Sequence, residues 1–242
     1  MIRIEDVPDI FNFPPYGCSR KLYFKLIGDP SFDACSVNDT RHKKALSEFF
    51  GEPLADIYRK TTGRKVRTPN YANFVDPLYP FIISNPDRLI TNLKGRAFLK
   101  YVPMEIRVLN RSEFYEIRRN GLPDHYYSYQ LHHAMIGKTA KWAALTLFCP
   151  DVMEMKVFDI AFDETVAAEV IKAEKDFWNL VQKKEMPTLL NNTGLPPVYE
   201  GCHLCGYRHQ CGIPIPEYIK DEREEKELKQ EIIQIENYYD KL

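Results

Sequence analysis

Apolar residues recur along the chain with two spacings, and most runs end at a recognisable stop. From Cys18 to Ile27 the spacing is helical, and Gly28-Asp29-Pro30 ends the run. A longer helical pattern extends from about Thr40 to Thr62 and is closed by Gly63. Tyr79 to Ser84 is apolar and rich in β-formers, which predicts a strand stopped by Asn85-Pro86-Asp87. Ala97 to Leu109 and Lys141 to Phe148 predict two more strands, and Met153 to Phe158 alternates like a half-exposed fourth. Tyr126 to Ile136 predicts a helix between them. Asp163 is placed to cap a long helix that runs to Lys184.

Four strands mixed with helices, one strand reached through a helical crossover, predict an α/β sandwich with a central mixed sheet flanked by helices. A loop with Pro187, Pro196 and Pro197 then leads into three closely spaced cysteines. From Glu217 a charged helix is expected, with Leu228, Ile232, Ile235 and Tyr239 on one stripe. The expected organisation is a core over 1–185, a cysteine-rich segment over 186–216 and an acidic helix over 217–242.

Composition narrows the class. At 242 residues and 28.4 kDa the chain is one enlarged domain or two small ones, by the rule of roughly 150 residues per domain. With 44% apolar and 28% charged residues it is not disordered throughout. No apolar run approaches the ~18 residues of a membrane helix, and the first residues lack the apolar core of a signal peptide. A soluble, cytoplasmic protein with no membrane partner is expected, in the host cytoplasm if the chain is viral.

Charge is nearly balanced, 33 basic residues against 34 acidic. The stretch 217–242 holds nine acidic and five basic residues, which leaves 28 basic against 25 acidic before it. Basic residues bunch at Arg20 and Lys21, at Arg41, Lys43 and Lys44, and again between Arg59 and Arg67. Such clusters can track a phosphate backbone, and they can equally be solvated faces of two helices.

Six cysteines in a chain of this kind are poor disulfide candidates. Cys35 and Cys149 stand alone. Cys202-x2-Cys205-x5-Cys211 brings three thiols into one glycine-rich loop, and Cys18 lies far upstream. Zinc would take the three cysteines with His203 or His209. An iron–sulfur cluster would need a fourth thiolate and recruit Cys18. Spacing alone leaves both open. The Cys18-Ser19-Arg20 start joined to this C-x2-C-x5-C finish resembles the iron–sulfur nucleases of the CRISPR-associated Cas-four type. That resemblance implies a 4Fe–4S cluster on Cys18, Cys202, Cys205 and Cys211, and a nuclease fold of the PD-(D/E)xK kind. Ser19 stands where those enzymes usually carry proline.

Asp87 follows Pro86 at the stop of the first predicted strand. Glu105 and Arg107 alternate on the next strand, so both point to one face. Glu52 lies in the long helical stretch. Three carboxylates from a helix, a strand end and an adjacent strand suit Mg²⁺ or Mn²⁺, hard cations that take oxygen ligands. Taken singly, a Pro-Asp pair is a common turn and Glu-x-Arg a common surface pattern.

Together these pieces are similar to the YqaJ phage recombinase exonucleases, relatives of lambda exonuclease, over the stretch from Pro15 to Glu185. The matching segments are Gly51-Glu52-Pro53 with Tyr58 and Thr62-Gly63, Asn85-Pro86-Asp87-Arg88-Leu89, Met104-Glu105-Ile106-Arg107, Pro123-x2-Tyr126-x3-Gln130, and Glu174-x2-Phe177-Trp178. The resemblance implies that Glu52, Asp87 and Glu105 bind metal and that Gln130 supports the site or a substrate phosphate. The Cas-four resemblance adds His42 as a metal ligand. Arg20, Lys21, Arg41, Lys43 and Lys44 are the expected DNA contacts, and His132 and His133 are expected to ligate nothing.

There are two departures in the core. The usual lysine of the third motif is Arg107, which stays charged and can only stabilise anionic oxygens. Ala134 stands where some relatives have tyrosine. The expected function is a metal-dependent DNA exonuclease, with 5′→3′ polarity favoured, in phage or viral DNA recombination or genome processing. A CRISPR-adaptation nuclease and a catalytically weak DNA-binding protein are the alternatives. DNA is the expected partner, with a homo-oligomer and a recombination or adaptation protein implied by the resembled families.

Overall fold

The computed structural model of the chain describes residues 1–11, 17–28, 39–69, 75–91, 101–123, 125–136, 140–188, 207, 210 and 211; for residues 39–45, 47 and 48 it describes the backbone only. The chain divides into two compact units, Met1–Thr188 and Leu189–Leu242. Among the described residues of the first unit, a 3-10 turn at Ile4–Asp6 is followed by helices α1 Val7–Ile10, α2 Ser19–Ile27 and α3 Asp39–Thr62. Strands β1 Lys65–Arg67, β2 Arg88–Thr91 and β3 Tyr101–Val108 come next. Then come α4 Arg111–Asn120, α5 Tyr126–Ile136, β4 Trp142–Cys149, β5 Glu154–Ala161 and α6 Glu164–Lys183.

Local chemistry sets the ends of these elements. Gly28 and Gly63 end α2 and α3 with φ of 76° and 69°, a conformation that side chains bearing a Cβ resist. Asp163 caps α6 by accepting from the Thr165 and Val166 amides at 2.7 and 3.2 Å. At α4, Asn110 accepts from the Glu113 amide at 2.9 Å and Glu113 accepts from the Asn110 amide at 3.3 Å, a reciprocal cap.

The sheet order is β1-β2-β3-β4-β5, antiparallel except for the parallel β3–β4 pair. The chain between β3 and β4 passes through α4 and α5, the helical crossover that a parallel pair requires. Alternation along the strands sorts the core into two layers. Val102, Met104 and Ile106 of β3 pack with Leu54, Ala55 and Tyr58 of α3, together with Ala144 and Phe148 of β4. Ala143, Leu145, Leu147 and Cys149 of β4 pack on the opposite face with Phe114 and Ile117 of α4 and Leu131 and Met135 of α5. Glu105 and Arg107, out of phase with Met104 and Ile106, therefore face the α5 layer.

The sheet corrects two expectations. Tyr79 to Ser84 is no ladder strand: Ile82 and Ile83 form isolated bridges to Ile2 and Val75. Its apolar character has another cause, since Ile82 is fully buried beneath the N-terminal residues. The sheet has five described strands rather than four, because the short β1 and β2 were not expected. No described helix is long and apolar enough to cross a membrane. In the second unit Tyr207 is buried and its carbonyl accepts from the Cys211 amide at 3.0 Å. Cys202, Cys205, His203, His209 and the expected tail helix lie outside the described residues.

Candidate active site

Strand register creates the central cluster. Arg88 pairs with Met104 in the antiparallel β2–β3 ladder, so the preceding residue, Asp87, falls opposite Glu105. The Asp87 amide donates to Glu105 Oε1 at 3.3 Å, and the Ile106 amide donates to Asp87 Oδ2 at 2.8 Å. Arg107 reaches both acids, with Nη1 3.3 Å from Asp87 Oδ2 and Nη2 2.8 Å from Glu105 Oε2. The same Nη2 donates to Gln130 Oε1 at 3.1 Å, which ties α5 to the strand pair. With its oxygen engaged, Gln130 has only its NH₂ left to offer, and that group can donate to an anionic oxygen.

Electrostatics make this cluster costly to ionise fully. Glu105 is 3% exposed. Burial first, and then the neighbouring Asp87 charge, push its carboxyl up to about 8 against the opposing pull of Arg107. Burial also opposes the charge on Arg107, but Glu105 and Asp87 more than offset it and raise that guanidinium further. When both acids are ionised, one guanidinium serves two carboxylates and the cluster is one positive charge short of neutrality. Two carboxylates on adjacent strands with a charge deficit fit a hard divalent cation.

A stability prediction follows from the sign of that shift. Glu105 holds its proton more tightly folded than unfolded, so its contribution is complete below about 4.5 and lost as pH rises through about 8. Glu105→Gln removes the loss. In metal-free protein at pH 9 it should raise Tm, and give no gain at pH 5. Thermal unfolding in chelator at the two pH values checks this, and a lower Tm at both would contradict it.

Glu52 does not join the pair. It projects from α3, in the layer across the sheet, and is 55% exposed in its side chain. Arg59 Nη2 holds Glu52 Oε1 at 2.6 Å, and Arg88 Nη2 lies 3.5 Å from Oε2. Arg59 also pairs with Asp56. The hydrogen bond from Arg59 holds the Glu52 carboxyl below the usual carboxylate range. Arg88 links the two groups, because its Nη1 donates to the Asp87 carbonyl at 2.7 Å. It also lies so close to Gly51 that a Cβ there would sit 2.9 Å from Nη2. Among the described residues no three His, Cys, Asp or Glu side chains converge as they would around a metal ion. Asp87 and Glu105 are in direct contact, and Glu52 is linked to them through Arg88.

The other candidates fall as follows. Arg20 donates to the Pro187 carbonyl at 2.7 Å and Lys21 pairs with Asp9 at 3.1 Å, so both have intramolecular partners. His42, Arg41, Lys43 and Lys44 lie on α3, but their side chains are outside the described residues. Cys18 is the N-cap of α2, and its amide donates to Asp9 Oδ1 at 2.8 Å. His132 uses both ring nitrogens, on the Ser128 carbonyl and the Asp163 amide. His133 likewise spends both, on Glu174 and the Ile83 carbonyl. Arg59, read from the sequence as part of a basic cluster, holds Glu52 here, and Arg88, which directly follows the Pro-Asp stop, has no role assigned from the sequence.

The fold is similar to that of an alkaline exonuclease. This enzyme, LHK-Exo from Laribacter hongkongensis, aligns with a TM-score of 0.57 at 20% identity, over 76% of this chain and 89% of its own. Its complex with dAMP aligns with the same TM-score at 19% identity and equal coverage. At such identities the likeness is one of fold. No family model matches the sequence, and no curated protein matches it.

Proposed function

We propose that this chain is a divalent-metal-dependent deoxyribonuclease that acts as an exonuclease. The observation that carries the reading is the Asp87–Glu105–Arg107–Gln130 cluster, where two acids share one guanidinium. The fold likeness to an alkaline exonuclease supports it. Asp87 and Glu105, with Glu52 and His42 as further ligands, would hold Mg²⁺ or Mn²⁺, which would supply an activated water and neutralise phosphate charge. With both Nη groups engaged, Arg107 offers its Nε–H and its charge to anionic oxygens, while the Gln130 NH₂ orients the same phosphate. Polarity 5′→3′ and a setting in phage or viral recombination or genome processing rest on the family resemblance.

Digestion of duplex and single-stranded DNA labelled at either end, with Mn²⁺, tests this reading. Stepwise release of mononucleotides from one end supports it, and internal fragments from a closed circle would replace it with an endonuclease.

The resemblance to the Cas-four-type nucleases supports a 4Fe–4S cluster on Cys18, Cys202, Cys205 and Cys211. Cys18 and Cys202 are 184 positions apart, since 202 − 18 = 184, so a shared cluster restricts the unfolded chain strongly and acts chiefly on stability. Protein purified without oxygen should be brown and contain close to four irons per chain, a stoichiometry that follows from cluster type. Cys18→Ser should bleach it and lower Tm, whereas Cys35→Ser and Cys149→Ser should leave the colour intact. Colourless protein with one zinc per chain, indifferent to Cys18→Ser, would assign the loop to zinc instead.

A further inference from the structure

Behind the catalytic cluster lies an ionisable pair that takes no part in the chemistry above. His133 on α5 and Glu174 on α6 are both 0% exposed, and His133 Nδ1 lies 2.6 Å from Glu174 Oε1. On its other side His133 Nε2 lies 2.9 Å from the Ile83 carbonyl. A carbonyl only accepts, so Nε2 carries a proton, and a second proton is shared between Nδ1 and the carboxylate. Burial works against a charged ring, and Glu174 more than offsets it. Glu174 Oε2 is buried without a hydrogen-bond partner among the described residues. A half-satisfied buried acid is expensive, so packing alone gives no reason for this pair.

Its connections supply one. Ile83 begins the segment Ile83-Ser84-Asn85-Pro86-Asp87 that delivers the catalytic aspartate. From the other side the N-terminal residues hold the same segment: Ile83 donates to the Ile2 carbonyl at 2.9 Å, and Asn85 Oδ1 accepts from the Ile4 amide at 3.0 Å. Ser84 Oγ donates to the Ala134 carbonyl at 2.9 Å, next to His133. His133 also lies three residues beyond Gln130 on one helix, so a single turn of α5 grips both the Asp87 segment and Arg107.

We propose that His133, oriented by Glu174, is a positioning residue of the active site, fixing the backbone that carries Asp87 relative to Gln130 and Arg107. The proposal rests on the nuclease reading for its kinetic readout but not for its structural one. His132 is the internal control. It lies on the same helix, is equally buried, and ties α5 to the start of α6, not to the Asp87 segment.

Three variants test it. His133→Leu should lower kcat by about 10–100-fold and weaken Mn²⁺ binding by a similar factor, as when a group supporting a metal ligand is lost, with KM for DNA within about threefold. The double variant with His133→Leu and Glu174→Met removes the buried charges together, so it should fold at least as well as the single variant and stay equally slow. His132→Leu should lose stability while keeping kcat. Amide exchange at Ile83 and Asp87 should quicken in both His133 variants and stay at the wild-type rate in His132→Leu, whether or not any DNA is cut. Wild-type kcat and wild-type exchange in the folded double variant would overturn the proposal, as would equal kcat losses in His132→Leu and His133→Leu. If wild-type protein cuts no DNA, the nuclease reading fails and the exchange comparison still decides this one.

Discussion

Asp87→Ala and Glu105→Ala should each slow DNA hydrolysis by on the order of 10³-fold or more, with DNA affinity within about threefold of wild type. Each change removes one of the two carboxylates that, among the described residues, share the Arg107 guanidinium. A divalent cation supplies several kcal/mol of charge stabilisation, and each ~1.4 kcal/mol lost is a tenfold drop in rate. Binding should survive because DNA affinity comes mostly from phosphate contacts to basic groups, and neither acid is one. The two variants differ in one respect. Asp87 also accepts from the Ile106 amide, so Asp87→Ala should additionally loosen the β2–β3 pairing and lower Tm. Single-turnover cleavage alongside fluorescence anisotropy separates rate from affinity. Undiminished cleavage in both variants would remove the site from this strand pair.

Arg107→Ala should cost on the order of 2.7–4 kcal/mol in barrier, or 10²–10³-fold in rate, by analogy with losing one preorganised oxyanion donor. Arg107 is also the only bridge among the described hydrogen bonds from the acids to Gln130. Its loss should therefore release the Gln130 amide as well as a charge. Arg107→Lys keeps the charge and restores the residue of the resembled exonucleases, but one ammonium lacks the fork that spans Asp87, Glu105 and Gln130. It should retain activity within about tenfold of wild type. A fully active Ala variant would make Arg107 a counter-charge of the fold with no part in the chemistry.

Wherever a local signal decided an element, the sequence was sufficient. Asp163 as a cap and Gly63 as a stop are chemical facts of one or two residues. The shared face of Glu105 and Arg107 follows from strand alternation alone. The Asn110–Glu113 capping box before α4 is an equally local signal. What could not be read depends on contacts far apart in the chain. Tyr79 to Ser84 looks like a strand because Ile82 is apolar, yet its partner is Ile2, 80 positions away. The link from Glu52 through Arg88 to the Asp87 carbonyl is of the same kind, since no helix pattern shows which strand residue a helical side chain will meet. The His133–Glu174 pair, 41 positions apart, was legible only as two separate residues.

The central claim is that Asp87 and Glu105 hold a divalent cation that drives phosphodiester hydrolysis. Its most direct test is Mn²⁺ titration by calorimetry on wild type and Asp87→Asn, followed by cleavage of end-labelled duplex at each metal concentration. Wild type should bind Mn²⁺ and release mononucleotides in proportion to metal occupancy, with full loss in EDTA; Asp87→Asn should do neither. Hydrolysis that persists in EDTA, or Mn²⁺ binding and cleavage unchanged in Asp87→Asn, would contradict the account.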